Sequence, residues 1–149
     1  MAVGAASRYL KVATNGGDLV YVPAKARIHF TDAASLSSGT TTFIGPWADS
    51  ASENDAFIQH IIPYPGRIRN LYAKLTTAPG ANQDVKITVR VNGASVFSAV
   101  TISGTAVTGS NLTESAPVNP GDFVTFQATS STLATSTTLT GTLELDEPS

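Results

Sequence analysis

Between Asp84 and Val91 the chain alternates strictly, with Val85, Ile87, Val89 and Val91 on one parity and Asp84, Lys86, Thr88 and Arg90 on the other. Successive strand side chains point to opposite faces, so a period of two gives one apolar and one polar face, a pattern no helix reproduces. The run ends in Asn92-Gly93, a pair that tolerates positive φ at both positions and so suits a two-residue type I′ turn. A second run, Ala94 to Ile102, follows at once and predicts a hairpin.

The same rhythm recurs elsewhere. Gly66 to Leu75 alternates through Leu71, Ala73 and Leu75, but Ile68 falls on the other parity, which predicts a bulge near Arg69 and Asn70. Pro120-Gly121 supplies a type II turn, after which Val124, Phe126 and Ala128 share one face of a strand over Asp122 to Ala128. Leu139, Gly141, Leu143 and Leu145 alternate in a final strand, and Phe57 to Ile62 gives another, closed by Pro63 and Pro65, which cannot donate to a ladder. Near the start, Arg8 to Val12 and Asp18 to Val22 flank Asn15-Gly16-Gly17 as a second hairpin, followed by a strand over Arg27 to Phe30. Thr31 to Glu53 reads as a long loop carrying a short strand around Thr41 to Ile44. About ten short strands in 149 residues, with no internal repeat, predict an all-β fold. We expect an antiparallel two-sheet β-sandwich arranged as a jelly roll over residues 27–149, with residues 1–26 as an N-terminal arm or hairpin that is either separate or part of the sandwich.

A chain of this length folds as one domain and buries roughly 70% of its unfolded surface, so it needs no disulfide or metal staple. The absence of cysteine agrees and excludes thiolate zinc sites. Residues 1–7 carry no basic residue before a hydrophobic run, and no stretch approaches the ~20 apolar residues of a spanning helix, so we expect a soluble chain without a signal peptide. The net charge of −2 hides an asymmetry, because all nine Lys and Arg lie between Arg8 and Arg90 against six acids. The remainder holds Glu114, Asp122, Glu144, Asp146 and Glu147 and no base, so the two parts can attract each other within or between subunits. Charged residues are only 13% of the chain, and serine and threonine replace them. Hydroxyls are far less costly to bury than unpaired charges, which suits a protein that lies against neighbours.

Catalytic chemistry finds little support. A serine nucleophile needs a base, and the two histidines, His29 and His60, each sit within a predicted strand without a Gly-x-Ser-x-Gly elbow nearby. The nearest pattern for a metal is His29 with Asp32, joined by Asp49, Glu53 or Asp55 if the loop folds back, a spacing common by chance. Gly16-Gly17 precedes a strand, whereas a phosphate loop must open onto a helix. Arg8-Tyr9 and the group Arg67, Arg69 and Tyr72 mix cations with aromatics as single-strand nucleic-acid binders do, but the net charge is negative. Asn111-Leu112-Thr113 is a chance glycosylation match, and Phe43, Trp47 and Tyr64 either line a sugar-binding face or plug one end of the sandwich. No enzyme activity, cofactor, metal, nucleic acid, membrane or small-molecule substrate is therefore expected.

Four pieces, Gly66-Arg67-Ile68-Arg69-Asn70-Leu71-Tyr72, Thr76-Thr77-Ala78-Pro79-Gly80, Val89-Arg90-Val91-Asn92-Gly93 and Val118-Asn119-Pro120-Gly121-Asp122, resemble a pattern of bacteriophage virion proteins with small jelly-roll domains. The resemblance spans a little under half of the chain, rests on turn and strand signals, and extends to trimeric domains of the tumour-necrosis-factor-like class. It implies a capsid decoration, or cement, protein on the outer surface of the virion, a homotrimer whose partner is the major capsid protein. Arg8, Tyr9, Lys11, Lys25 and Arg27 are then the expected capsid contacts, through strand addition to an exposed sheet edge. The alternative is a receptor- or carbohydrate-binding head domain of a phage fibre or tail protein, although no repetitive stalk precedes the domain in this sequence.

Overall fold

The computed structural model describes residues 8–12, 19–23, 25–32, 35–36, 38–46, 48–133 and 135–146, with the backbone alone for 8–12 and 19–23. All its elements are strands, and every pairing is antiparallel. One sheet has the order β11 (Thr108–Val118), β7 (Gly66–Leu75), β13 (Leu139–Asp146), β3 (Lys25–Thr31). The other runs β10 (Val100–Gly104), β8 (Gly80–Val91), β12 (Phe123–Ser130), β4 (Thr41–Ile44), β5 (Asp49–Ser50), with β6 (His60–Ile61) on β12 and β9 (Ala94–Ser95) on β8. Separately, β1 (Arg8–Val12) pairs with β2 (Leu19–Pro23) as a two-stranded ribbon. The long strands pass between the sheets in chain order: β3, β7, β11 and β13 enter one, and β4, β8, β10 and β12 the other.

The apolar parities meet in a single core between the sheets. From β3, β7 and β13 come Ile28, Phe30, Ile68, Leu71, Leu75, Leu139 and Leu143, and from β8 and β12 come Val85, Ile87, Val89, Val124 and Phe126. Each is almost wholly excluded from solvent, a burial worth roughly 1.5–3 kcal/mol for a side chain of this size. At the centre the rings of Phe30 and Phe126 stack across the layers, with centroids 3.9 Å apart and planes 20° from parallel. Gly141 occupies an inward position of β13 because a Cβ there would run into the Phe30 ring and the Tyr72 carbonyl.

Two devices expected from the sequence are present. Asn92 and Gly93 adopt φ of 49° and 81° and pair Val91 with Ala94, as a type I′ hairpin requires. Asn70 adopts φ of 54° where the register shifts, so that Asn70 and Leu71 oppose the single Leu143, which explains the parity of Ile68. Two expected elements are shorter: the run after Gly93 breaks into β9 and β10, with Phe97 turned into the core between them, and of Phe57 to Ile62 only β6 is strand. The Asn15-Gly16-Gly17 turn lies outside the described residues.

Candidate functional site

The outer faces of the two sheets differ. On β8 and β12 the outward side chains include Arg90 and Thr125, and the segment between β5 and β6 folds over that end. Glu53 from this segment accepts from Arg90 Nε at 2.8 Å and Nη2 at 3.2 Å and from the Thr125 hydroxyl at 2.6 Å. Its backbone carbonyl accepts from Gln59 Nε2. Arg90 also donates to Ser95, Gln127 and the Gly93 carbonyl, and its guanidinium lies 5.9 Å from the centroid of the Phe43 ring. The cover is close enough that Thr125 has no exposed surface. Burial pushes the Glu53 carboxyl up, but hydrogen bonds from Arg90 and Thr125 and the Arg90 charge outweigh it, leaving the group below the usual glutamate value.

No such segment covers the β11-β7-β13-β3 sheet among the described residues. Its outward positions are Lys25, Arg27 and His29 on β3, Arg67, Arg69, Tyr72 and Lys74 on β7, and Thr140, Thr142, Glu144 and Asp146 on β13, with Thr108 and Ser110 on β11. Register arranges them in rows. Asp146 stands between Lys25 and Arg67, and Glu144 between Arg27 and Arg69, while Thr142 stands between His29 and Tyr72, and Thr140 between Thr31 and Lys74. One end of the face therefore holds four cations around two carboxylates. Arg69 pairs with both acids and Lys25 with Glu144, while Arg67 donates to the Ser115 hydroxyl. Among the described residues Arg27 and Lys74 make no ion pair. The other half of the face holds a shallow hollow of about 520 Å³ around Tyr72, floored by Ala73, Gly109 and Gly141 and rimmed by His29 and Lys74.

Neither a family model nor a curated protein matches this chain.

Of the expected contact residues, Lys25 and Arg27 lie exposed on one parity of the edge strand β3. Arg8, Tyr9 and Lys11 lie on β1, where Arg8 is registered against Pro23, two residues before Lys25; their side chains lie outside the described residues. The backbone thus leads the ribbon into the cationic end of the sheet. Arg67 and Arg69 join that end and were discernible in the sequence only as a cation–aromatic mixture; their outward parity in Gly66 to Leu75 is the signal that places them there.

The remaining candidates disperse. His29 is exposed on β3, and His60, on β6 in the other sheet, is half-buried, with its pKa pushed down by burial. Asp32 is buried at the end of β3, and among the described residues no three His, Asp or Glu side chains converge as a metal site would require. Phe43 is half-buried beside Arg90, Tyr64 is half-buried against the core, and Trp47 lies outside the described residues. Asn111 accepts from the N–H of Thr113 and of Glu114 and donates to the Glu114 carboxylate, forming part of a bulge in β11.

Proposed function

We propose that this chain is a structural virion protein that coats the outer surface of a phage capsid and stabilises it by clamping neighbouring major capsid subunits, three copies acting as one unit. The observation that carries the reading is the open outer face of the β11-β7-β13-β3 sheet, whose cationic end continues into the β1–β2 ribbon. Five of the chain's nine cations, Lys25, Arg27, Arg67, Arg69 and Lys74, occupy this face. Thr108, Ser110, Thr140 and Thr142 supply hydroxyls to the same face, and these lose little on leaving water when a partner supplies hydrogen bonds. Glu144 and Asp146 among the cations favour a protein surface of mixed charge over a phosphate backbone, which they would repel. The alternating sheet assignment, β11-β7-β13-β3 facing β10-β8-β12-β4, supports a jelly-roll organisation in which two Greek keys interleave. Three linked copies multiply a modest contact into strong attachment, with no catalytic group, cofactor, nucleic acid or membrane required.

Cosedimentation with purified phage heads, set against binding to a glycan panel, tests the proposal. Pelleting with heads and silence on the panel is the expected result; glycan binding without pelleting replaces this reading by a carbohydrate-binding head domain. Deleting residues 1–14 removes β1, which among the described residues pairs only with β2, so attachment to the shell weakens while the thermal midpoint of the sandwich holds. Full occupancy by the truncated chain removes the ribbon from the contact.

A further inference from the structure

Four large hydrophobic side chains are exposed among the described residues: Phe57, Ile61, Tyr72 and Leu112. Leu112 stands apart beside Glu114, and the other three form two patches of opposite electrostatic surroundings. Phe57, 82% exposed, and Ile61, 55% exposed, sit at the end of the segment that covers the β8 and β12 face. That segment is a held platform. The Phe57 N–H is bound to Asp55 Oδ1 at 3.0 Å, the Ile58 N–H to the Asp55 carbonyl at 3.2 Å, and Ile58 itself is fully buried. Phe57 therefore projects from a fixed backbone with the Asp55 carboxylate two residues away and Asp49 on the preceding strand. Exposing an aromatic ring on an ordered loop forfeits its burial free energy unless something else covers it.

The other patch is the hollow around Tyr72, 51% exposed, on the open sheet face. Its floor is the backbone of Ala73, Gly109 and Gly141, whose side-chain positions face the core, and its rim carries His29 and the unpaired Lys74. A single chain thus carries an apolar projection flanked by acid and an apolar hollow flanked by base. The two lie on elements of different sheets. Their opposite charges match between copies in one orientation only.

We infer that Phe57 of one copy seats in the Tyr72 hollow of a second copy, with Asp55 facing Lys74, so that this chain associates head to tail with itself. Because projection and hollow are different surfaces, the contact is heterologous, and each copy has one of each to offer. Repetition closes a ring when the rotation between copies divides a full turn, and the trimer of the proposed function, on which this inference rests for its number, closes it at three. The hollow and the cationic cluster of Lys25, Arg27, Arg67 and Arg69 occupy opposite ends of the same strands, so self-association leaves the cationic end free.

Sedimentation velocity with no shell present tests this, so failure here is separable from failure to bind heads. Wild-type chain sediments as an oligomer, and Phe57→Asp and Tyr72→Asp are each monomeric with unchanged far-ultraviolet circular dichroism. Mixed in equal amounts, the two variants form a one-to-one dimer and nothing larger, because each retains the half that the other has lost. Lys74→Glu weakens association at least tenfold, and Lys74→Arg, which keeps the charge, preserves it. A wild-type monomer at every concentration overturns the inference. So does an oligomer that survives Phe57→Asp, or a mixture of the aspartate variants that stays monomeric.

Discussion

The outer face of the β8 and β12 sheet and that of the β7 and β13 sheet begin from the same material, strands whose outward positions are threonine, arginine, lysine and an aromatic ring. The first face is finished by its own chain. Arg90 finds Glu53 37 positions away in sequence, Lys86 finds Asp84, and Thr125 disappears beneath the covering segment. The second is left with Arg27 and Lys74 unpaired, Tyr72 half-exposed and a strand edge at β3. Both faces sit on one core, so the difference is not a matter of stability reserve. It reflects where the long loop between β4 and β7 falls, and it leaves one side of the sandwich available for contact.

The comparison presumes that the two layers share one core, and the largest effect tests that presumption. Val89 has no exposed surface and lies in the core-facing row of β8, so Val89→Asp buries an unpaired carboxylate between the two sheets. We expect a loss of about 4 kcal/mol or more, read by urea denaturation as collapse of the whole transition rather than loss of one layer. Next comes the latch on the covered face. Arg90→Ala leaves Glu53, 13% exposed, without its bidentate partner and should cost about 3 kcal/mol, somewhat less than a fully buried pair because both side chains retain some solvent. A thermal midpoint lowered by roughly 6–10 °C checks it. No change would mean that the cover is held by packing alone.

Much of the sandwich is legible in the sequence because its central strands carry the pattern locally. Val85 to Val91, the Asn92-Gly93 turn and the bulge at Asn70 each announce themselves within a few residues, and so does β4 at Thr41–Ile44. The strand β11 does not. Its sequence, TGSNLTESAPV, has glycine and asparagine at inward positions, since a Cβ at Gly109 would strike Val100 and Ile102. It exists because β7 offers it a ladder, a long-range cause that alternation cannot report. The site divides the same way. Lys25 and Arg27 are readable as one parity of β3, but that their face stays open while the opposite one is covered depends on Glu53 reaching Arg90, and no spacing encodes that.

Acid should act first on the covered face. Glu53 has a folded pKa below its ordinary 4.5, so its contribution is complete above that value and is lost as pH falls through the lowered folded value. His60, held below its ordinary 6.5 by burial, adds to the acid loss from about pH 6.5 downward, because protonation then favours the unfolded chain. Glu53→Gln keeps the size of the side chain and removes the lower of these two steps. Urea midpoints measured from pH 7 to pH 3 should therefore fall less steeply below pH 4.5 in the variant than in the wild type, from a lower starting stability. Parallel curves would move the acid sensitivity elsewhere, to Asp122 or Glu114, whose carboxyls are also lowered, by hydrogen bonds from Asn92 and Asn111 first.

The smallest effect on stability belongs to the open face, and its smallness is the point. Arg27 is exposed, unpaired among the described residues and registered opposite Glu144, which Arg69 and Lys25 already engage. Arg27→Ala should therefore change the unfolding free energy by no more than about 0.5 kcal/mol. Attachment to phage heads should respond differently, because a cation that meets an acidic partner surface speeds encounter and is screened by salt. Occupancy at low salt should fall, and its decline between roughly 50 and 300 mM salt should be shallower than for the wild type, as one fewer charge is there to screen. If the wild type and Arg27→Ala lose attachment along the same salt curve, the cationic end of this face does not meet the shell, and the contact must be sought on the ribbon instead.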